Sequence, residues 1–279
     1  MRKATFMIAL AGCVLLAATG CNKLRSRDQQ NQGVLAFKNA KYADAIEHFK
    51  QAIALDPNSP NAQLYLATAY MQQWIPGADS PENNDMMTKA KDGFERVLEK
   101  NPNDATALAS LASLAFQSAS SLAPDQKLQR LDEAAKWNKR LIEVDPKNKE
   151  AYYSLGVIAW AKWYPQLQMA RLNLHMKPED PGPIKDKKVK ADLQQQYGAI
   201  IDEGMSDLQK SLDIDKEYDD AMAYMNLLVR EKADLSDNPD EYKKQIEIAD
   251  GWVQKALDAK KAKQARQPAS TGIVTDTSK

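Results

Sequence analysis

The side chains best suited to metal chemistry lie in one acidic stretch, Asp213 to Asp220. Carboxylates alternate there as they do at the start of a calcium-binding loop. Such a loop needs glycine at its sixth position and glutamate at its twelfth, and these positions are Tyr218 and Tyr224. The stretch is therefore predicted to form a turn between helices, with Asp219 or Asp220 capping the helix that follows.

Other patterns typical of catalysis are missing from the sequence. The two histidines, His48 and His175, are far apart, and no HExxH, CxxC or paired-histidine spacing occurs. No GxxxxGK[ST] or GxGxxG stretch is present to cradle a phosphate. We therefore predict no catalytic residues, no metal site and no cofactor, and expect a protein that is not an enzyme.

The charge balance gives no general attraction to nucleic acid. The chain has 38 basic and 38 acidic residues, and loss of Arg2 and Lys3 with a signal peptide would leave 36 against 38, a net charge of −2. A basic cluster near the C-terminus comprises Lys255, Lys260, Lys261, Lys263 and Arg266. Because it falls at the end of the last predicted helix, it is predicted to complement the helix dipole.

The N-terminus is typical of a signal peptide, predicted over residues 1–20. Arg2 and Lys3 give a positive end, an apolar run of about 13 residues follows from Phe6 to Ala18, and small residues come next. The run is shorter than the ~20 residues that a membrane-spanning helix needs. The segment is therefore expected to be removed.

Cys21 is the residue that decides between two kinds of exported protein. Ala18-Thr-Gly-Cys21 resembles the lipobox of bacterial lipoproteins, although the usual leucine is Ala18 here. An ordinary secretory signal would give the same mature start, but Cys21 would then be a lone cysteine with no disulfide partner in the mature chain. The resemblance implies a covalent lipid on Cys21, and Asn22 in place of aspartate implies the periplasmic face of the outer membrane.

A short tether, residues 21–25, is expected to link this anchor to the folded chain. Lys23, Arg25 and Arg27 lie in or beside it and either contact lipid phosphates or are simply solvated. At the other end of the chain, residues 267–279 are polar and lack a periodic apolar stripe, so they are predicted to be disordered.

The folded chain is organised around one amphipathic helix, Tyr42 to Leu55, which Asp56-Pro57 terminates. Its apolar face consists of Ala45, Ile46, Phe49, Ala52 and Ile53. A second predicted helix, Ser26 to Asn39, precedes it and contributes Gly33 and Phe37. The two helices are predicted to form a hairpin whose apolar face needs a neighbouring hairpin to cover it.

Aligned on Pro57, this hairpin resembles the tetratricopeptide repeat, since Gly33, Ala45, Phe49, Ala52 and Pro57 all fall on positions of that pattern. Gly33 and Ala45 are predicted to lie where the helices cross closely. The pattern recurs in Leu66, Ala67, Tyr70, Ala90 and Phe94; in Leu108, Leu111, Ala112 and Ala134; in Tyr152, Leu155 and Gly156; and in Met222, Met225, Leu228 and Ala249. In the third repeat Asn138 takes the phenylalanine position, so Trp137 or Leu141 is expected to supply the packing.

The resemblance implies an all-α, TPR-like solenoid of about five helical hairpins with insertions between their helices. The predicted repeats are residues 26–59, 60–104, 105–148, 149–218 and 219–264, within a solenoid spanning 26–266. Insertions are predicted around residues 75–87 and 160–197. The prolines of the second insertion exclude a single continuous helix there.

In this family the first helices of the repeats line a concave groove that binds other proteins. The corresponding positions are Gln30, Val34, Phe37, Leu64, Thr68, Met71, Ala109, Ser113, Phe116, Tyr153, Val157, Trp160, Leu227 and Arg230. The set is largely apolar and lacks the Lys-Asn clamp with which chaperone-binding members hold a C-terminal carboxylate. The expected partner is therefore an apolar or amphipathic segment of another protein.

An aromatic patch in the fourth repeat, Trp160, Trp163 and Tyr164, has two interpretations. The rings either fill the core beneath the insertion or present rigid anchors to a bound peptide. The leading hypothesis is a lipid-anchored scaffold, similar to tetratricopeptide lipoproteins that support outer-membrane protein assembly or pilus biogenesis. Two alternatives are an envelope enzyme subunit that uses insertion carboxylates such as Glu179 or Asp180, and a glycan-binding protein that uses the three rings.

Overall fold

The computed structural model describes residues 21–177 and 179–266, and every regular element in these ranges is a helix. The predicted all-α fold is confirmed. The predicted signal peptide, residues 1–20, and the predicted disordered tail, residues 267–279, lie outside the described residues. The chain divides into two compact units, Met1–Asp145 and Pro146–Lys279, here called unit 1 and unit 2.

Unit 1 consists of three helical hairpins. Its described helices are α1 (21–38), α2 (Tyr42–Leu55), α3 (Pro60–Gln73), α4 (Pro81–Lys100), α5 (Ala105–Ser118) and α6 (Pro124–Val144), with a short 3-10 helix at Ala119–Ser121. The second helix of one hairpin packs on the first helix of the next, α2 on α3 and α4 on α5. Each hairpin therefore covers its neighbour's apolar face, as the repeat pattern predicts.

The first hairpin shows why small residues are needed at the crossing. Ala45, Ile46, Phe49 and Ala52 are buried, and a Cβ atom built on Gly33 would lie 2.5 Å from Cε1 of Phe49. The Ser26 hydroxyl, also buried, donates to the Ala52 carbonyl over 2.8 Å. The predicted close crossing at Gly33 is confirmed.

The start of α1 differs from the expectation. Residues 21–25, predicted to be a tether, are helical and continue into the predicted first helix. At about 1.5 Å per residue a helix covers less than half the length of an extended tether.

The second repeat exceeds the usual length in two places. The segment between α3 and α4 covers residues 74–80, and residues 75–80 of it belong to the predicted insertion. Helix α4 is also 20 residues long, whereas α2 has 14. The rest of the predicted insertion, residues 81–87, is the first part of α4, because Ser80 caps the helix by accepting from the Asn83 backbone N–H.

The third repeat replaces phenylalanine with a buried amide. Asn138 is 4% exposed and donates to the Ala134 carbonyl within its own helix, which satisfies its amide. Leu141 is 3% exposed. Of the two residues expected to supply the packing, Leu141 is the fully buried one.

Unit 2 consists of two longer hairpins. Its helices are α7 (Lys149–Asn173), α8 (Lys187–Ile214), α9 (Asp219–Lys232) and α10 (Pro239–Arg266), with a 3-10 helix at Ala233–Leu235. Helices α7 and α8 cross at paired small residues. A Cβ atom on Gly156 would lie 2.4 Å from Cγ of Leu208, and one on Gly204 would lie 2.4 Å from Cβ of Ala159.

The insertion predicted over residues 160–197 is mostly helical, and the predicted break falls between α7 and α8. Helix α7 continues to Asn173 through Pro165, and α8 begins at Lys187. Trp163, Leu167 and Arg171 recur every four residues and are all buried, so burial of this stripe outweighs the helix-breaking effect of Pro165. The segment between the helices packs onto the next hairpin, where the buried Ile184 donates its N–H to the Asp234 carbonyl.

The acidic stretch forms the predicted turn, but its capping was predicted wrongly. Tyr218 is the N-cap residue of α9, and no side chain caps the helix. Asp215 closes the turn by accepting the backbone N–H of Glu217. Asp219 instead lies in the first turn, where it pairs with Lys263 of α10.

The basic cluster at the end of α10 has a structural role. Lys263 and Arg266 lie in the last turn of the helix, and Arg266 pairs with Glu217.

Val253 of α10, at the repeat position that Phe49 occupies in α2, is 38% exposed while Phe49 is 1% exposed. The last hairpin therefore keeps part of its apolar face uncovered.

Candidate protein-binding surfaces

In unit 1 the predicted groove residues form a partly buried surface on the first helices α1, α3 and α5. This unit 1 surface comprises Val34, Phe37, Leu64, Thr68, Met71, Ser113 and Phe116, all of them half-buried. Helices α3 and α5 contact each other, so the residues on these two helices lie on neighbouring elements. Half-buried apolar side chains are held in place by the fold and still present area to a partner.

The polar groups of the unit 1 surface are used locally. The Thr68 hydroxyl donates to the Leu64 carbonyl over 2.8 Å, and the Ser113 hydroxyl accepts from the Gln117 amide over 2.7 Å. None of the seven side chains is ionisable. The surface therefore offers apolar contact rather than charge.

In unit 2 the predicted groove residues belong to a row of aromatic rings, here called the aromatic ladder: Tyr218, Tyr153, Tyr224, Trp160 and Tyr164. Successive ring centroids are 5.1, 5.6, 5.6 and 4.9 Å apart. Helix α7 supplies three of the rings, and α9, which contacts α7, supplies Tyr224. The sequence predicted Tyr153, Trp160 and Tyr164 as candidates but missed Tyr218 and Tyr224.

The structure separates the three rings of the predicted aromatic patch. Trp163 is fully buried in the core and lies 5.8 Å from the ring of Tyr197, so it is not available as an anchor. Tyr164 is 36% exposed and stacks on the half-buried Trp160. Val157, another predicted groove residue, is 8% exposed and contributes little surface.

A buried carboxyl group lies beside Trp160, the fourth ring of the ladder. The Trp160 indole N–H donates to Oε1 of Glu231 over 2.9 Å. Burial raises the pKa of Glu231 to about 7, the hydrogen bond from Trp160 acts in the opposite direction, and the charge of Asp234 adds to the rise. The other oxygen, Oε2, is buried and has no hydrogen-bond partner in the described part of the chain.

Two exposed carboxylates, Glu150 and Asp220, lie at the Tyr218 end of the ladder. Glu150 accepts a hydrogen bond from the Tyr218 hydroxyl. Burial, this hydrogen bond and the negative charges of Glu150 and Asp220 raise the pKa of Tyr218. Burial also raises the pKa of Tyr224, with a further contribution from Asp220. Both carboxylates therefore act directly on the rings.

A buried ion pair joins α7 to the turn after α9. Arg171 lies 2.6 Å from Asp234, and both side chains are 7% exposed. The guanidinium also donates to the carbonyls of Lys177 and Asp180, which fixes the segment after α7. The Asp180 carboxylate accepts the Lys177 backbone N–H, so this insertion carboxylate has a structural role.

Residues 21–177 and 179–266 contain neither a candidate metal site nor a candidate membrane-spanning helix. No group of three or more histidine, cysteine or acidic side chains in these ranges could hold a metal ion. None of the helices there combines the length and apolar character that a membrane crossing requires. Cys21, the predicted lipid attachment site, is exposed.

Comparison with known proteins agrees with the architecture. Residues 36–73 match the model of a TPR repeat, and residues 61–104 match that of the tetratricopeptide repeat. A crystal structure of MamA protein superposes with a TM-score of 0.54 at 17% identity, covering 88% of this chain and 97% of that one. The fold is that of a tetratricopeptide-repeat solenoid.

A second structure of this type, MamA 41-end from Desulfovibrio magneticus RS-1, gives a TM-score of 0.52 at 15% identity, covering 85% of this chain and 96% of that one. Among curated proteins, no sequence matches this chain. The likeness to tetratricopeptide structures therefore concerns the fold. Scaffolds of this kind present extended surfaces to other proteins.

Proposed function

We propose that this chain is a lipid-anchored scaffold that binds other proteins at the bacterial cell envelope and has no catalytic activity. The observation that carries the proposal is the half-buried state of the groove residues on the first helices of unit 1. A core would bury these apolar side chains completely, and a purely solvated face would be polar. A partly buried apolar surface suits a protein partner.

The chemistry of the unit 1 surface indicates the class of partner. Its side chains are apolar or carry a hydroxyl that is already hydrogen-bonded. An apolar or amphipathic segment of another protein would bury this surface without leaving a charge unpaired. Components of outer-membrane protein or pilus assembly are partners of this kind, and the proposal includes them.

A charge placed on the unit 1 surface tests the binding proposal. Met71→Glu should abolish co-purification of the partner with this protein, because a carboxylate would be desolvated in the interface. Leu128→Glu is the matched control, since Leu128 is 36% exposed on α6, a second helix. Quantitative mass spectrometry of co-purified proteins should show a loss with Met71→Glu alone, and an equal loss with both variants would contradict the proposal.

The anchor is supported by the lipobox-like sequence that ends at the exposed Cys21. A chain with a lipid there would lie on the periplasmic face of the outer membrane, with the positive side chains of Lys23, Arg25 and Arg27 close to the lipid headgroups. Cys21→Ser should move the protein from the membrane fraction to the supernatant and remove the label of a radioactive fatty acid. Continued membrane attachment of this variant would contradict the anchor.

A further inference from the structure

The start of α1 has an uncovered leucine among basic side chains. Leu24 is 68% exposed, and its neighbours Lys23, Arg25 and Arg27 are exposed as well. None of these three cations forms an ion pair with a residue that the structure describes. Residues 21–27 include three basic and no acidic side chains, which gives this part of the helix a net charge of +3. An exposed apolar side chain among unpaired cations suits a surface that has both apolar and anionic parts.

The helical period places Leu24 on the outer face of α1, next to Cys21. Ser26 and Gly33 are buried against α2 and define the inner face of the helix. Leu24 precedes Ser26 by two positions, a rotation of about 200° around the helix, so it lies on the opposite side. Cβ atoms three positions apart on a helix are ~5–6 Å from each other. A lipid on Cys21 and the side chain of Leu24 would therefore leave the helix side by side, away from the core.

Hydrogen bonds fix this part of α1 to the first hairpin. The Ser26 hydroxyl donates to the Ala52 carbonyl of α2 over 2.8 Å and accepts from the Gln30 amide over 3.3 Å. Residues 21–25 are helical, so Leu24 lies only two positions before this bonded residue. Because the helix already orders Leu24, little conformational entropy is lost when a surface covers it. Such a contact would also orient the hairpin relative to that surface.

We propose that the start of α1 binds an anionic membrane surface, with Leu24 at the acyl-chain boundary and its three basic neighbours on the lipid phosphates. This inference rests on the proposed lipid anchor, and it adds a contact between protein and lipid that orients the first hairpin. A lipid on Cys21 would hold the bilayer within one helical turn of Leu24. The three cations complement anionic headgroups, and each contributes about a fivefold increase in binding.

Vesicle sedimentation of the mature chain without its lipid measures this contact alone. Residues 21–279 with Cys21→Ser retain every helix that the structure describes. The vesicles consist of phosphatidylcholine alone or of phosphatidylcholine with a quarter of phosphatidylglycerol. We expect binding to the anionic vesicles to be at least about tenfold tighter and to weaken as salt is added. Equal binding to the two kinds of vesicle would overturn the inference.

The other end of α1 provides matched control positions. Leu35 is 63% exposed on the same outer face and lies about 16 Å beyond Leu24, and the exposed Lys38 lies about 20 Å beyond Arg25. Leu24→Ala and Arg25→Gln should each weaken binding to the anionic vesicles by about fivefold. Leu35→Ala and Lys38→Gln should leave the binding unchanged. Equal weakening by the variants and their controls would overturn the inference, because the membrane would then not select the start of the helix.

A label on the lipidated protein separates this inference from the anchor. The mature chain has no cysteine besides Cys21, whose sulfur the lipid would occupy, so Leu24→Cys provides a single thiol for a polarity-sensitive dye. In vesicles that contain phosphatidylglycerol, the dye emission should shift to the blue for Leu24→Cys and stay unchanged for Leu35→Cys. An equal response at the two positions would overturn the inference and leave the anchor, which fatty-acid labelling of Cys21 tests, in place. Leu24-dependent vesicle binding by a protein that takes up no fatty acid would instead contradict the anchor and support the contact.

Discussion

Replacement of Gly156 by alanine gives the sharpest test of how the hairpins of unit 2 pack. The new Cβ atom would lie 2.4, 2.6 and 3.0 Å from three carbon atoms of Leu208, well inside the ~3.5–4.0 Å of a normal carbon contact. Leu208 is 0% exposed, so its side chain has no room to move outwards. Alanine is favoured over glycine in a helix by about 1 kcal/mol, but overpacking costs about 1–3 kcal/mol.

The net expectation for Gly156→Ala is a loss of up to about 2 kcal/mol, or up to about 8 °C in melting temperature. Gly251→Ala is the matched control, because nothing lies within 4 Å of a Cβ atom built on Gly251 of α10. This variant should raise the melting temperature by about 2–4 °C, since only the helix preference acts. Circular dichroism melts of both variants provide the comparison.

A double variant distinguishes steric conflict from other causes of a lower melting temperature. Leu208→Ala removes the atoms that the new methyl group would meet, at a cost of about 2–5 kcal/mol on its own. Gly156→Ala should then be neutral or stabilising in the Leu208→Ala background. Strict additivity of the two changes, or a stabilising effect of Gly156→Ala alone, would refute the packing argument.

Three further changes probe single interactions. The pKa of Glu231 is raised to about 7 against 4.5 for an ordinary glutamate, so the folded state holds this proton more tightly than the unfolded state does. The stability that the group contributes is therefore full below about pH 4.5 and falls as the pH rises through 7. Urea titrations should show a loss of about 1–3 kcal/mol over this range, and the loss should be absent in Glu231→Gln. Arg171→Met should lower the free energy of unfolding by about 3–5 kcal/mol, because it leaves Asp234 buried and unpaired. The double variant Arg171→Met, Asp234→Asn should recover part of this loss in the same urea assay. Asn83→Ala should lower the free energy of unfolding by about 2 kcal/mol, because the Asn83 side chain makes three hydrogen bonds to the segment between α3 and α4. Asn84 is exposed, and Asn84→Ala should change the urea midpoint little.

Each of these three has an outcome that would contradict it. Glu231→Gln with an unchanged pH dependence would mean that another group titrates. A double variant less stable than Arg171→Met would mean that the carboxylate of Asp234 stabilises unit 2 without its partner. Equal effects of the two asparagine changes would remove the special role of Asn83.

The local packing of the hairpins could be predicted from the sequence because it depends on residues close together in the repeat. Gly33 and Phe49 are 16 positions apart, and their contact follows from the hairpin pattern itself. The same holds for the buried face of α2, where Ala45, Ile46, Phe49 and Ala52 follow the helical period. A small residue at a crossing is a strong signal because nothing larger fits.

The extended helices of the fourth repeat were missed because two local signals conflict there. Pro165 is typical of a helix end, and the gap between the apolar stripes of the two helices led to the prediction of an insertion. The stripe formed by Trp163, Leu167 and Arg171 was visible at a spacing of four residues, and it correctly indicates a continuing helix. Tertiary burial of that stripe decides the outcome.

The aromatic ladder and its carboxylates depend on contacts between repeats. Trp160 meets Glu231 across 71 positions, and Arg171 meets Asp234 across 63. Such pairs depend on how far α7 extends past the usual repeat length, which the repeat pattern does not specify. The sequence therefore identified three of the ladder's rings and none of its acidic partners.

Site-specific photocrosslinking in living cells tests most directly whether the first-helix faces bind other proteins. A photoreactive residue would replace Thr68 of the unit 1 surface or Tyr164 of the aromatic ladder, and exposed positions on second helices, Glu99 and Lys136, would serve as controls. We predict protein crosslinks from Thr68 and Tyr164 and none above background from Glu99 and Lys136. Crosslinks of equal strength from all four positions, or from the control positions alone, would contradict the account.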